Sequence, residues 1–148
     1  MKEERRLPVS AQGACGKIQR RGSESVKGVV FTTNNKMYVK DFEEPLYQSV
    51  GKVVDGGIEI VHPKGLKAPY CFAVNEEGLL NRLRINVLGS VWYQTHVHGC
   101  PIVGNIVVLK DGFTDGEPDI VGLSEEEILE IKAIANDISD GTIEEVHM

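Results

Sequence analysis

The amino-acid sequence predicts a single α+β domain with a mixed or largely antiparallel sheet and two principal helices. Two β-prone runs flank the pair Asn34-Asn35, apolar residues recur at helical spacing shortly after them, and a second helical stretch lies near the C-terminus. A length of 148 residues suits one domain with a modest core. The order of hairpin, helix, strands and helix is typical of the α+β class.

The first ordered elements that the sequence predicts are a β-hairpin over residues 29–42 and a helix within residues 43–57. Asparagine at the hairpin tip tolerates the positive φ that a tight turn requires. In the helical stretch, Leu46, Val50 and Val53 share one face, and two glycines then end the pattern.

The second helix is predicted within residues 123–138. Ser124 stands three residues before Glu127, which is the spacing of a capping box. Ile128 and Ile131 begin an apolar stripe along the helix, so one of its faces is expected to pack on the sheet.

Three further strands are predicted between the helices, and they lie within residues 58–62, 70–74 and 101–110. The third is the most apolar and is therefore expected at the centre of the sheet, with Gly104 marking a bulge or a close backbone approach. Residues 111–119 are polar and are expected to form a loop. Both helices are expected to cover the same face of the sheet.

Charge divides the chain into a basic N-terminal arm, residues 1–27, and an acidic body, residues 28–148. The arm holds seven lysines and arginines against three glutamates, whereas the body holds nine basic and nineteen acidic residues. We expect a flexible arm and a compact body. An acidic body disfavours a stable nucleic-acid complex. We expect no signal peptide and no membrane span, because the N-terminal residues lack an apolar stretch and no apolar run reaches membrane length, and the three irregularly spaced cysteines favour a reducing compartment.

A metal site is the first chemical possibility. His96, His98 and Cys100 alternate, so an extended backbone would place them on one face, with Cys71 or His62 as a fourth zinc ligand. The spacing is not that of a paired zinc motif, and no nucleophile–base pair is recognisable. We therefore predict no bound metal, no cofactor and no enzymatic activity.

The stretch from residue 72 to residue 93 is the best candidate for a binding site, because an apolar strand stops at a polar corner that arginines and aromatic residues follow. Arginine donates from a rigid fork, asparagine pairs with polar edges, and aromatic rings stack on planar ligands. The predicted ligand-binding residues are Asn75, Glu76, Arg82, Arg84, Asn86, Trp92 and Tyr93.

Local structure around this corner allows a second interpretation. In the first, Leu79, Leu80 and Leu83 anchor a short helical turn to the core, so that the two arginines project near Glu76 and Asn86. The alternative is a tight turn set by Asn75 and Gly78, with an Arg–Glu salt bridge and buried aromatic rings and no ligand at all.

The same residues carry a resemblance to a known family. The blocks GGIEIVHPKGL, NEEGLLNRLRIN and PIVGNIVVL resemble, in this order, a family of short proteins encoded mainly by phages, plasmids and conjugative elements and known only as a domain of unknown function. The resemblance spans residues 37–140, and the matching positions are Glu59, Pro63, Asn75, Glu76, Gly78, Asn86 and Gly104. It implies a mobile-element origin and action in the cytoplasm of a bacterial host. This chain differs from the shorter members of that family in its N-terminal arm, which they lack.

Three functional hypotheses follow. The first is a non-enzymatic, homo-oligomeric binder that sequesters a nucleotide-derived host defence signal, since such a sponge needs a pocket and no catalytic group. The second is an interaction protein that inhibits or regulates a host enzyme, using an acidic surface such as the helical face from Glu125 to Glu130. The third is a small hydrolase or metal-dependent enzyme that uses His96, His98 and a carboxylate.

Overall fold

The computed structural model of the protein describes residues 26–146, which form a seven-stranded mixed sheet and four helical segments. The strands are β1 (Val26–Phe31), β2 (Lys36–Phe42), β3 (Ile58–Val61), β4 (Tyr70–Asn75), β5 (Ile106–Thr114), β6 (Glu117–Val121) and β7 (Glu144–Glu145). The helices are α1 (Leu46–Val54), α2 (Val87–Tyr93), α3 (Thr95–His98) and α4 (Glu125–Ile138). The predicted α+β class, with α1 and α4 as its two longest helices, is confirmed.

The strands follow the order β3-β4-β5-β1-β2-β7, and β6 pairs with the outer half of β5. Every neighbouring pair is antiparallel except β2 and β7, which are parallel. β5 therefore lies inside the sheet, as its apolar sequence predicts. Its residues 106–109 are buried because strands flank both edges and side chains cover both faces.

The predicted hairpin is the β1–β2 pair, in which Val29 lies opposite Val39. Asn35 takes the left-handed φ of 67° at its tip, which asparagine tolerates better than most residues. β1 begins at Val26, so Val26 and Lys27, assigned to the arm on sequence alone, are the first residues of the sheet. Residues 1–25, which hold the rest of the arm, lie outside the described residues.

Both predicted helices form where the sequence places them. α1 buries Val50 and Val54 and ends at Asp55, which adopts the left-handed conformation with a φ of 71°. α4 begins with the predicted capping box, in which the Ser124 hydroxyl accepts from the Glu127 amide and the Glu127 carboxylate accepts from the Ser124 amide.

The prediction of a polar loop over residues 111–119 is wrong, because β5 and β6 form a second hairpin there. Asp115 and Gly116, with φ values of 53° and 82°, make a two-residue turn, and Phe113 pairs with Pro118 across the strands. Asp-Gly is a strong hairpin signal in its own right. The residues that flank this Asp-Gly pair are polar and charged, and such a composition also predicts a loop.

The expectation that both helices cover one face of the sheet is also wrong. Successive residues of a strand point to opposite faces, and here both faces are apolar. The face under α2 and α4 holds one core cluster, whose members from the strands include Val29, Phe31, Phe72, Ile106 and Val108. The opposite face packs against α1 through a second cluster that includes Val26, Val30, Ala73, Val107 and Leu109.

Within residues 26–146, no helix has both the length and the apolar composition that a membrane span requires.

Candidate functional site

The corner that follows β4 is built around Asn75, which is buried. Its side-chain amide donates to the carbonyl oxygens of Val54 and Asp55, at 3.0 and 2.9 Å, and its Oδ1 accepts from the amide of Glu77 at 2.7 Å. Asn75 therefore joins the corner to the end of α1. Because both ends of its amide group are engaged in the fold, Asn75 contributes a rigid wall rather than free hydrogen-bonding groups.

Beside this corner lies a cleft of about 440 Å³, which we call the corner cleft. Its walls come from β3, the end of β4, the turn after it, and the segment that precedes β5. The lining residues are Glu59, Val61, Val74, Asn75, Glu76, Glu77, Gly78, Leu79, Leu80, Tyr93, Cys100, Pro101, Ile102 and Val103. Of the seven residues predicted from sequence, the cleft brings together Asn75, Glu76 and Tyr93.

The charged side chains that line the corner cleft are all carboxylates, namely those of Glu59, Glu76 and Glu77, and all three residues are exposed. Carboxylates grouped around one opening attract cations and repel phosphate. The cleft therefore favours a ligand that presents positive charge or hydrogen-bond donors.

The leucines of the turn do not anchor it to the core, contrary to the prediction. Leu79 is 57% exposed and Leu80 is 77% exposed, and both line the corner cleft. Leu83 alone packs inward, because Gly78 and Gly104 leave room for its side chain. The residues from Glu77 to Arg82 form hydrogen-bonded turns, with the Asn81 amide donating to the Glu77 carbonyl at 2.9 Å, and their apolar side chains face outward.

Arg82 and Arg84 are exposed and do not line the corner cleft. They follow its leucine wall along the chain, and the Arg82 amide donates to the Leu79 carbonyl at 3.1 Å. No ion pair joins either arginine to another residue of 26–146. The predicted Arg–Glu salt bridge is therefore not seen in this part of the chain.

Asn86 is a structural residue, and only 1% of it is exposed. Its amide donates to the carbonyl oxygens of Phe31 and Gly104, at 3.0 and 2.9 Å, and its Oδ1 accepts from the Gly89 amide at 2.9 Å as the N-cap of α2. All of its hydrogen-bonding groups are occupied by the fold, so Asn86 is not available to a ligand in this conformation.

Trp92 likewise belongs to the core, because it is fully buried. Its ring packs edge-on against Phe31 with centroids 5.3 Å apart and lies at a tilt 6.5 Å from Phe72. Neither ring face is open to a ligand. The ring that does line the corner cleft is its half-buried neighbour Tyr93.

The zinc site suggested by His96, His98 and Cys100 depended on an extended backbone. Residues Thr95–His98 instead form the short helix α3, so the alternating geometry is absent. Cys100 is exposed and lines the corner cleft.

A different group of potential metal ligands is present on the face of the sheet that points away from the corner cleft. His62, Cys71 and Asp111 each offer one ligand atom, and these atoms lie within 4.8 Å of one another. Burial, with a further contribution from the Asp111 carboxylate, raises the pKa of the Cys71 thiol to about 12. From the sequence, His62 and Cys71 are expected only as ligands beside residues 96–100. Asp111 is not among the expected ligands, because it lies far from both residues along the chain and only strand pairing brings it close to them.

Two of the four glutamates on the acidic face of α4, Glu127 and Glu130, are paired closely within the fold. The Glu127 carboxylate accepts from Lys110 Nζ at 2.8 Å, and Glu130 pairs with Lys67 and accepts from the Tyr70 hydroxyl. Surface carboxylates that are already paired contribute little to a new interface. This weakens α4 as the docking surface of an interaction protein.

The fold and the corner cleft define an α+β protein with a preformed surface cleft. The chain belongs to the family described as Domain of unknown function (DUF3846), whose model matches residues 26–136. No curated protein matches the chain. A solved structure of the small RNA methyltransferase HEN1 is similar to 78% of this chain, which spans 17% of that protein, at 10% identity and a TM-score of 0.48.

Proposed function

We propose that the protein is a non-enzymatic binding protein and that the corner cleft is where it holds its partner. The observation that carries this proposal is the lining of the cleft, in which exposed leucines and a tyrosine ring lie among three carboxylates. Leu79 and Leu80 offer apolar surface that a partner could bury, at about 25 cal/mol for each Å² removed from water.

The occupant that this lining fits best is a segment of another protein that carries a basic and an apolar side chain. The carboxylates of Glu76 and Glu77 would meet the basic group, while Leu80 would pack on the apolar one. Given the mobile-element origin that the family resemblance implies, the partner would be a protein of the bacterial host, met in the host cytoplasm, whose activity the binding would inhibit or regulate.

A capture experiment with purified protein and bacterial lysate tests this first candidate. The wild type is compared with Leu79→Ser/Leu80→Ser, which removes the apolar wall, and with Glu76→Gln/Glu77→Gln, which removes the charge. Leu129→Ser is the matched control, since Leu129 is 65% exposed on α4 and lies outside the cleft.

We expect one stoichiometric partner to be retained by the wild type and by the Leu129 variant, and to be lost or weakened at least about tenfold with both cleft variants. Equal retention by all four proteins would place the interface elsewhere and contradict the proposal.

A nucleotide-derived defence signal is the second candidate occupant, and it is favoured by the two arginines beside the leucine wall. Arg82 and Arg84 are exposed and have no ion-pair partner within residues 26–146, so their guanidinium groups could meet phosphates at the rim while Tyr93 stacks on a base. The carboxylates of the cleft oppose this ligand, which is why it stands second.

Calorimetry with a panel of cyclic nucleotides separates the two candidates. If a nucleotide is sequestered, Arg82→Ala/Arg84→Ala should weaken binding by at least about tenfold, whereas Lys64→Ala, at an exposed basic position outside the cleft, should not. Absence of heat with every nucleotide, together with absence of co-purified nucleotide, would eliminate the sponge hypothesis and leave the protein partner.

The homo-oligomeric state expected for such a binder is part of this proposal. Val87 and Val91, one helical turn apart on α2, are 66% and 46% exposed and line a groove of about 320 Å³ with Ile138. A second copy of the chain would bury this apolar surface. Sedimentation velocity of the wild type and of Val87→Asp/Val91→Asp would reveal the dimer and its loss, and a monomeric wild type would refute it.

A further inference from the structure

Three adjacent strands bring His62, Cys71 and Asp111 onto the sheet face that α1 only partly covers. Val61 pairs with Phe72 in the β3–β4 register, which places His62 beside Cys71. Cys71 pairs with Leu109 across β4 and β5, and Asp111 lies two residues beyond Leu109 on the same face. His62 directly follows β3, Cys71 lies on β4 and Asp111 lies on β5. The register of these three strands therefore sets the cluster.

The local geometry brings a thiol, an imidazole and a carboxylate together. His62 Nε2 lies 3.0 Å from Asp111 Oδ1, and Cys71 is fully buried behind them. The His62 and Asp111 side chains are 59% and 48% exposed. A small ion could thus reach the cluster from solvent, between two side chains that are free to adjust.

We propose that His62, Cys71 and Asp111 form a zinc-binding site. Sulfur, nitrogen and oxygen ligands are those that Zn²⁺ takes in proteins. Tetrahedral coordination would set the ligand atoms about 3.4–3.6 Å apart, so the group needs adjustments of only about 1 Å from its present spacing.

Binding would transfer the thiol proton of Cys71 to solvent and form a metal–thiolate bond, while neutral His62 and ionised Asp111 donate lone pairs. Three protein ligands leave a fourth position for water or for an external group. Next to Asp111, a depression of about 580 Å³ between residue 69 and the β5–β6 hairpin gives room for that fourth ligand.

An ordinary His–Asp ion pair accounts for His62 and Asp111 but does not involve the sulfur atom. The two interpretations therefore differ in one observable, which is whether the Cys71 sulfur contacts the metal. The site also lies on the opposite face of β3 from the corner cleft, because Glu59 and Val61 line that cleft whereas residues 58, 60 and 62 point away from it. Its test is thus independent of the proposed function.

The experiment is a titration of the untagged, fully reduced full-length chain with Zn²⁺ and, separately, with Co²⁺. We expect one Zn²⁺ per chain by competition with a chromophoric chelator. With Co²⁺ we expect a near-ultraviolet thiolate-to-metal charge-transfer band together with the visible bands of tetrahedral cobalt. Asp111→Asn and His62→Gln, at exposed positions that tolerate substitution, should each weaken Zn²⁺ at least about tenfold.

Cys71→Ser should abolish the charge-transfer band, and its far-ultraviolet circular dichroism would show whether this buried site still folds. Should the variant unfold, the two exposed-position variants decide the question alone. Cys100→Ser and His96→Ala/His98→Ala are the matched controls and should bind as the wild type does. The proposal is overturned by less than about 0.1 equivalent of Zn²⁺ at a tenfold excess, by a cobalt complex without a thiolate band, or by loss of binding in either control.

Discussion

Replacing Asn86 by alanine should lower the free energy of unfolding substantially, although the sequence marks this residue as a candidate for ligand binding. The substitution leaves the buried carbonyl oxygens of Phe31 and Gly104 and the buried amide of Gly89 without their partners. Each such orphaned group costs about 1–3 kcal/mol. Three such groups correspond to about 3–9 kcal/mol, and because water and local relaxation satisfy part of them, we expect the free energy of unfolding to fall by about 3–5 kcal/mol, a large part of the roughly 5–15 kcal/mol typical of a domain.

Urea unfolding followed by the fluorescence of Trp92 measures this change, because Trp92 is the sole tryptophan and is fully buried. Asn86→Ser keeps a capping oxygen for α2 and should recover about 1 kcal/mol relative to alanine. Arg84→Ala, at an exposed neighbouring position, should change stability by less than about 0.5 kcal/mol. A loss below about 1 kcal/mol for Asn86→Ala, with an unchanged dependence on urea, would refute the structural role assigned to Asn86.

Two further predictions concern backbone strain and pH. Gly104→Ala should destabilise the protein more than Gly116→Ala in urea unfolding: both glycines have positive φ, but an added Cβ at Gly104 would lie 2.9 Å from Leu83 Cδ1, whereas at Gly116 it would meet nothing. If both variants lost the same free energy of unfolding, the positive φ alone would account for the loss and the contact with Leu83 would be excluded as a cause. Burial, the largest single influence, raises the pKa of Glu127, but the interactions with Lys110 and Ser124 together outweigh it and the pKa is lowered. The ionised Glu127 therefore stabilises the fold above the unfolded pKa of about 4.3, and this contribution, which includes the pair with Lys110, is lost as pH falls through the folded pKa. The stability gap between wild type and Lys110→Met should therefore shrink in acid, and a gap independent of pH would contradict it.

Local signals predicted most of the elements. The hairpin at Asn35, the capping box at Ser124 and the apolar stripe of α1 each depend on residues a few positions apart, and each forms in the structure. The β5–β6 hairpin also has a local signal, the pair Asp115-Gly116. The residues around this turn are polar and charged, and that composition favours a loop as much as a hairpin.

The candidate site was predicted only in part. The sequence places Asn75 at a chain corner, where it does lie, and offers Asn86 only as a ligand-binding residue, whereas Asn86 is the N-cap of α2. An asparagine that satisfies backbone groups looks the same in sequence as one that binds a ligand. Whether the polar groups of such a residue are free depends on carbonyl oxygens that are distant in sequence, such as those of Val54 and Phe31. Burial of Trp92 similarly follows from the packing of two strands and a helix.

The sequence by itself determined the α+β class, the principal helices and strands, and the acidic character of the body, because each of these depends on composition or on short-range periodicity. Only the tertiary structure decided that helices lie on both faces of the sheet, that the corner cleft gathers three carboxylates and two exposed leucines, and that His62, Cys71 and Asp111 meet. These contacts join residues far apart along the chain, and strand register, which long-range packing selects, sets which side chains become neighbours.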